Sequence, residues 1–219
     1  QDRLFIRMPK LLYRLLTTLS AITLLAFTTT ACSINDQVSN VDGKATANYK
    51  TCDGFISAHE IEQISGLNGL IARSEVVNTD SIPGLAESGA IANCLIDVFR
   101  TVDGNDIPLS GNSISLSIVQ FGNTEQSLSL YNSTLAAAIL TAEQVGELAE
   151  IEQGIIGSDS YYMDVKVGGI GAIVVSVPDN TFISMTAARN KENKALLNVS
   201  QLITAVKGVE SRLPNTNIR

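Results

Sequence analysis

Alternating apolar and polar residues predict most of the strands in this chain. In Asn112–Phe121, isoleucine and leucine alternate with serine, which places one face of a strand on a core and the other towards water. The hairpin-type turn Pro178–Asn180 indicates antiparallel neighbours. Further strands are predicted at Cys94–Thr101, Tyr161–Val167, Ala172–Val177 and Thr181–Ala187. Ala72–Val77 could add an edge strand.

Helical spacing of apolar residues predicts three helices. The first follows a capping box of Ser57 and Glu60 and stops at Gly66. The second covers Thr124 to about Ala142, and the third runs from Glu192 to Leu213. The order α-β-β-α-β-β-β-α predicts an α+β domain, with an antiparallel sheet of about five strands and helices packed on one face.

The N-terminus has the pattern of a bacterial export signal. From Met8, basic residues precede the apolar stretch Leu15–Ala31, and small residues precede Cys32. We therefore predict a signal peptide over residues 1–31, with the natural start at Met8. These residues hold four basic side chains and one acidic one, so the remaining chain carries 11 basic and 21 acidic residues, a formal charge of −10. That charge disfavours a nucleic-acid partner.

The signal ends as lipoprotein signals do, which makes Cys32 the predicted lipidation site. Thr29 departs from the usual aliphatic residue at its position, so cleavage by an ordinary signal peptidase, leaving a free thiol, is the alternative. Two or three acyl chains at Cys32 would hold the protein on the extracytoplasmic face of the cell membrane. Residues 32–49 are polar and small and are predicted to be a flexible tether. Residues 50–214 form the single domain, and 215–219 form a tail.

Two other cysteines, Cys52 and Cys94, remain in a chain sent to an oxidising compartment. This count predicts one disulfide, with two separate buried thiols as the alternative. The closed loop of about 40 residues would contribute roughly 4 kcal/mol, as an upper figure.

Chemical motifs are sparse, and we predict no catalytic, metal or cofactor site. The only histidine, His59, lies on the outward side of the first helix, without an evident acid, nucleophile or metal partner. The Gly168–Gly171 cluster fits a turn or bulge better than a phosphate loop, and Asp103–Asp106 fits a hairpin turn better than a calcium site. The acidic residues within Glu143–Glu152 are predicted to form a solvated face.

The arrangement of signal, tether and cysteines resembles that of actinobacterial cell-envelope lipoproteins containing the domain of unknown function numbered 3558. The residues that carry this resemblance are Cys52 ahead of a helix with Ile56, Ser57 and Glu60, and Cys94 opening a strand. Leu95, Lys50 and Thr51 stand where that family has other residues. The family has no settled activity, so the resemblance implies a compartment and an architecture but no chemistry.

Three functions follow as hypotheses. The first is a non-enzymatic binding or structural module that meets an envelope protein, glycan or lipid. The second is a small-molecule or lipid carrier with an apolar cavity of about 300 Å³ or more between sheet and helices. The third is an envelope hydrolase with two carboxylates roughly 5 to 9.5 Å apart.

The lipid anchor yields a direct prediction. Cys32→Ser removes the acylated thiol, so we expect the protein to leave the membrane fraction, because the remaining chain is acidic and has no second anchor in its sequence pattern. Fractionation of cells expressing either form measures this, and unchanged membrane association would contradict it.

Overall fold

A computed structural model of the chain describes residues 47–100, 113–166, 171–190 and 192–214, which belong to one compact unit, Val41–Arg219. Several predictions lie outside these residues. They concern the export signal 1–31, the lipidation site Cys32, most of the tether, the turn Asp103–Asp106, the glycines at 168 and 169, and the tail 215–219.

The described residues form three α-helices and one seven-stranded sheet, in which every neighbouring pair of strands is antiparallel. The helices are α1 (Ala58–Ser65), α2 (Thr124–Val145) and α3 (Val199–Glu210). The strands are β1 (Leu70–Val76), β2 (Ala90–Arg100), β3 (Ser113–Phe121), β4 (Ala149–Gln153), β5 (Ser160–Val165), β6 (Gly171–Ser176) and β7 (Thr181–Ala188). Their spatial order is β1-β2-β3-β7-β6-β5-β4.

The predicted α+β class is confirmed, but the strand count and element order are wrong. The described chain runs α-β-β-β-α-β-β-β-β-α, since β1 is a full strand and β4 is an additional strand within the acidic stretch that follows the second helix. Gly146 ends α2 with a positive φ of 65°, and the chain then enters β4. As an edge strand paired only with β5, β4 keeps Glu150 and Glu152 in water. The predicted solvated acidic face is therefore confirmed.

The helices lie on both faces of the sheet, which corrects the expectation of one covered face. On the first face, Ile61 of α1 and Leu202 and Val206 of α3 join one buried cluster with Leu116 and Met185. On the opposite face, a second cluster gathers around α2. It contains Tyr131 and Ala138 of that helix with strand residues Phe121, Tyr161, Met163, Val175 and Phe182. Both faces of the central strands are therefore apolar, while β3 still alternates isoleucine and leucine with half-buried serines.

The third helix begins at Val199 and not at Glu192. Asn198 and Gln201 form a reciprocal capping box, in which each side chain accepts a hydrogen bond from the other residue's backbone N–H. This cap satisfies the first amides of the helix and fixes its start. The capping box predicted at Ser57 and Glu60 of α1 is present, with Gly66 in the left-handed conformation at the helix end.

The disulfide joins Cys52, in the segment before α1, to Cys94 in β2. The two residues are 42 positions apart in sequence, and their Cα atoms are 5.4 Å apart. Closing a loop of this length contributes roughly 4 kcal/mol in the chain-entropy account. The link therefore attaches an otherwise irregular N-terminal segment to the sheet.

Candidate functional site

A groove of about 560 Å³ lies at one end of the sheet. Three chain segments form most of it: the start of the domain, the turn after β1 and the first residues of β2. Its lining residues are Ala47, Asn48, Tyr49, Lys50, Val76, Val77, Asn78, Thr79, Ile91, Ala92, Asn93, Gln120 and Pro214.

The first wall of the groove is the segment from Ala47 to Lys50, which contacts residues just after it and residues near the end of the domain. The amide of Ala47 donates to the carbonyl of Arg212 at 3.1 Å, and the amide of Asn48 donates to that of Asp53 at 2.9 Å. The ring of Tyr49 packs edge-on against Phe55, with 5.1 Å between ring centroids. The bond to Arg212 connects the segment to the residues after α3, and the other two contacts fold the segment onto itself.

Tyr49 reaches across to β7. Its hydroxyl lies 3.0 Å from the hydroxyl of Thr181. Burial raises the pKa of Tyr49, an effect that the hydrogen bond with Thr181 partly opposes, so this phenol stays neutral at physiological pH. Tyr49 therefore supplies a fixed, uncharged polar group to the groove.

The second wall is the turn that follows β1. The amide of Val77 donates to the carbonyl of Asn93 at 2.9 Å, which extends the β1–β2 pairing by one residue. The side-chain oxygen of Asn78 accepts from the amide of Asp80 at 3.0 Å and starts a short 3₁₀ turn. The wall is thus fixed by backbone geometry.

The polar groups of the groove define what it can recognise. Asn93 is 4% exposed, and its side-chain oxygen has no hydrogen-bond partner in the described part of the chain. Asn93 is paired in register with Val119, which belongs to the cluster under α2, so this closed oxygen faces that side of the sheet and not the groove. Lys50 is the one charged residue among the described lining residues, and Asp and Glu do not occur among them. The groove therefore suits a small molecule with an anionic group.

The disulfide links the first wall to β2, whose first residues also line the groove. Cys52 follows Lys50 by two residues, and Cys94 directly follows Asn93. Reasoning from the sequence identified this cysteine pair but not the groove, because the lining residues come from distant segments that carry no shared motif. The asparagine at 48 falls in the predicted tether, and those at 78 and 93 fall between the predicted strands Ala72–Val77 and Cys94–Thr101.

His59 lies away from the groove on the exposed side of α1, as predicted. Its side chain is 75% exposed, and its Nδ1 atom is 3.7 Å from the carboxylate of Glu62. Among the described residues, no group of three or more His, Cys, Asp or Glu side chains is placed to hold a metal ion.

A second polar region lies on the face of the sheet that packs against α2, and its residues belong to β1, β2 and β3. Asp97 of β2 accepts a 2.5 Å hydrogen bond from the hydroxyl of Ser115 on β3, and it is paired in register with Arg73 of β1. The guanidinium of Arg73 stacks on Phe99, 5.2 Å from the ring centroid. Burial raises the pKa of Asp97, while Ser115 and the charge of Arg73 oppose the shift.

The described residues contain no helix with the length and hydropathy needed to cross a bilayer.

Comparison with known proteins finds a similar fold among solved structures but does not identify a family. No family model and no curated protein matches the chain. Among solved structures, the chain is similar to the crystal structure of the extracellular domain of PknH from Mycobacterium tuberculosis, with a TM-score of 0.50 and 11% sequence identity. The match covers 78% of this chain and 98% of that one. At this identity the likeness shows the fold alone.

The position of Asp97 predicts a pH-dependent effect on stability. A carboxyl whose pKa is raised by folding favours the native state while protonated, and this contribution is lost as pH rises through the folded pKa. We expect Asp97→Asn to raise the unfolding midpoint relative to the unmodified chain at pH 7, with the difference shrinking as pH falls below the ordinary aspartate pKa. Denaturation of both proteins at pH 7 and at pH 3 measures this. The prediction is contradicted if the stability of Asp97→Asn, relative to the unmodified chain, is lower at pH 7 than at pH 3.

Proposed function

We propose that the protein is a bacterial cell-surface lipoprotein whose domain is a non-enzymatic binding module for a small polar ligand of the envelope. The export signal and Cys32 support the anchor, and the resemblance to envelope lipoproteins of the domain family numbered 3558 agrees with it. The disulfide and the likeness to an extracellular domain support an extracytoplasmic setting.

The observation that carries the binding role is the groove with Lys50 as the one charged residue among its described lining residues. The groove has a volume of about 560 Å³, and apolar side chains such as Val76 and Ala92 line it beside Lys50. Sites for small molecules combine a volume of roughly 300–1,000 Å³ with a few placed polar groups. A ligand that presents an anionic group to Lys50 and packs an apolar part against Val76 and Ala92 would meet both requirements.

The other two hypotheses find less support in this groove. A lipid carrier needs an apolar cavity between sheet and helices, whereas this groove lies at the end of the sheet, and its lining mixes aliphatic residues with amides, hydroxyls and Lys50. A hydrolase with paired carboxylates needs two acids facing one cleft, and the described lining residues include none.

The place of the groove fits a membrane-anchored module. Ala47 and Asn48 line the groove and are the first described residues after the polar stretch that leads back to Cys32. A flexible tether of about 16 residues has a root-mean-square span near 20–25 Å. The groove would then meet ligands close to the outer surface of the membrane.

A blocking substitution tests the proposal. In Ala92→Trp, the indole fills the groove, so we expect at least about tenfold less co-purified ligand on the lipoprotein extracted from its native membranes. Native mass spectrometry of the extracted protein measures the bound mass. The matched control is Leu140→Trp, at a side chain 53% exposed on α2 and outside the groove, which should bind as the unmodified chain does.

Two results would contradict the proposal. One is an unmodified lipoprotein that carries no bound molecule. The other is equal occupancy in Ala92→Trp and Leu140→Trp.

A further inference from the structure

Strand β1 lies at the end of the sheet, and among the described residues its outer edge has no partner strand. Within that part of the chain it pairs with β2 alone, and after Leu70 every residue of the strand is exposed. Ile71 and Val76 are among the exposed large apolar residues, at 36% and 49%. An exposed edge of seven residues is long enough to template pairing with another strand.

The hydrogen-bond pattern fixes which backbone groups point outward from this edge. Because the amide of Val77 bonds the carbonyl of Asn93, alternate residues of β1 back to Ile71 bond β2. The intervening residues, Ala72, Ser74 and Val76, direct their N–H and C=O groups away from the sheet. Any added strand must therefore pair with these three residues.

The charges on β1 select one self-pairing register. Two copies can pair antiparallel about a two-fold axis at Arg73, at Ser74 or at Glu75. In each case the outward N–H and C=O groups of one β1 strand face those of the other. Centring on Arg73 places two arginines opposite each other, and centring on Glu75 places two glutamates opposite each other. Centring on Ser74 places each Arg73 opposite the partner's Glu75, on the same face of the extended sheet.

The same register also matches the apolar residues. Ala72 lies opposite the partner's Val76 on one face, and Ile71 lies opposite the partner's Val77 on the other. The guanidinium of Arg73 stacks on Phe99 of β2, on the same face of the sheet as Glu75. Charge and apolar complementarity therefore agree on one geometry.

The geometry points to a second copy of this chain as the partner of β1. We infer a two-fold dimer in which the β1 strands pair about Ser74, so that two seven-stranded sheets become continuous. Charged residues on edge strands usually prevent indiscriminate pairing. On β1, Arg73 and Glu75 still disfavour pairing with other partners and in other registers. In the register centred on Ser74, however, they complement an identical strand. Anchored copies confined to one membrane would also meet at high local concentration.

Charge reversal tests the pairing. Sedimentation velocity of the full-length lipoprotein in detergent should show a dimer for the unmodified chain. Glu75→Arg places like charges opposite each other, and so does Arg73→Glu; each should weaken dimerisation at least about tenfold. A mixture of the two variants restores opposite charges at both contacts, so a heterodimer should form. Neither charged position lines the groove, but Val76 and Val77 of the paired edge do, so ligand binding by each variant is measured beside its dimerisation.

Three sedimentation results would overturn the inference: an unmodified chain that stays monomeric, variants that dimerise as well as the unmodified chain, and a mixture that stays monomeric while both variants keep the unmodified unfolding midpoint.

A crosslink reads the register directly. In a hydrogen-bonded antiparallel pair the Cα atoms lie about 5.5 Å apart, within disulfide range. Ser74→Cys should therefore form an intermolecular disulfide in membranes under mild oxidation. The matched control Ala72→Cys faces Val76 of the partner and should not form a homodimeric crosslink. Equal crosslinking of both variants, or a crosslink of β1 to a different protein alone, would overturn the inference.

Discussion

The covalent link between Cys52 and Cys94 is the constraint on which the groove depends. The segment from Ala47 to Phe55 contains no helix and only an isolated bridge between Asn48 and Asp53, so backbone pairing alone gives it little stability. Cys52 itself has a positive φ of 59°, a conformation that costs a non-glycine residue energy. The disulfide to β2 offsets that cost and holds the segment against the sheet. Without the link, one wall of the groove would lose its anchor.

The sheet supports this arrangement because both of its faces are covered. One buried cluster lies under α1 and α3, and the other lies under α2. The central strands therefore have no face left for binding, and the polar features gather at the margins. The groove lies at one end of the sheet, and the β1 edge lies at one side. A well-packed interior thus leaves the periphery to specify function.

The parts of the fold that sequence predicted are those set by local patterns. The alternation in β3 and the capping box at Ser57 are properties of consecutive residues, and both are present in the structure. The start of α3 was missed, although the capping box at Asn198 and Gln201 is visible in the sequence and gave the better signal. Strand β4 was missed because its glutamates alternate in water at a sheet edge, a pattern that a solvated helix shares.

The distribution of helices and the groove could not be predicted from such local patterns. Whether α2 covers the same face as α3 depends on the connection from β3 to β4, and both arrangements leave the same amphipathic spacing in the sequence. Gly171 illustrates a long-range constraint, because a Cβ there would lie 1.9 Å from the carbonyl oxygen of Ala187 on the neighbouring strand. The groove likewise joins residues from Ala47 to Pro214. In the sequence, only the cysteine pair indicated which segments of the groove come together.

Amide hydrogen exchange before and after selective reduction of the disulfide tests the central claim most directly. The account predicts that the amides of Ala47 and Asn48, which are bonded to Arg212 and Asp53, exchange roughly tenfold faster or more after reduction. The amides of Ile118 and Ile183, in the centre of the sheet, should keep their protection. Unchanged protection at Ala47 and Asn48 in the reduced protein would contradict the account, because the groove wall would then stand without the link.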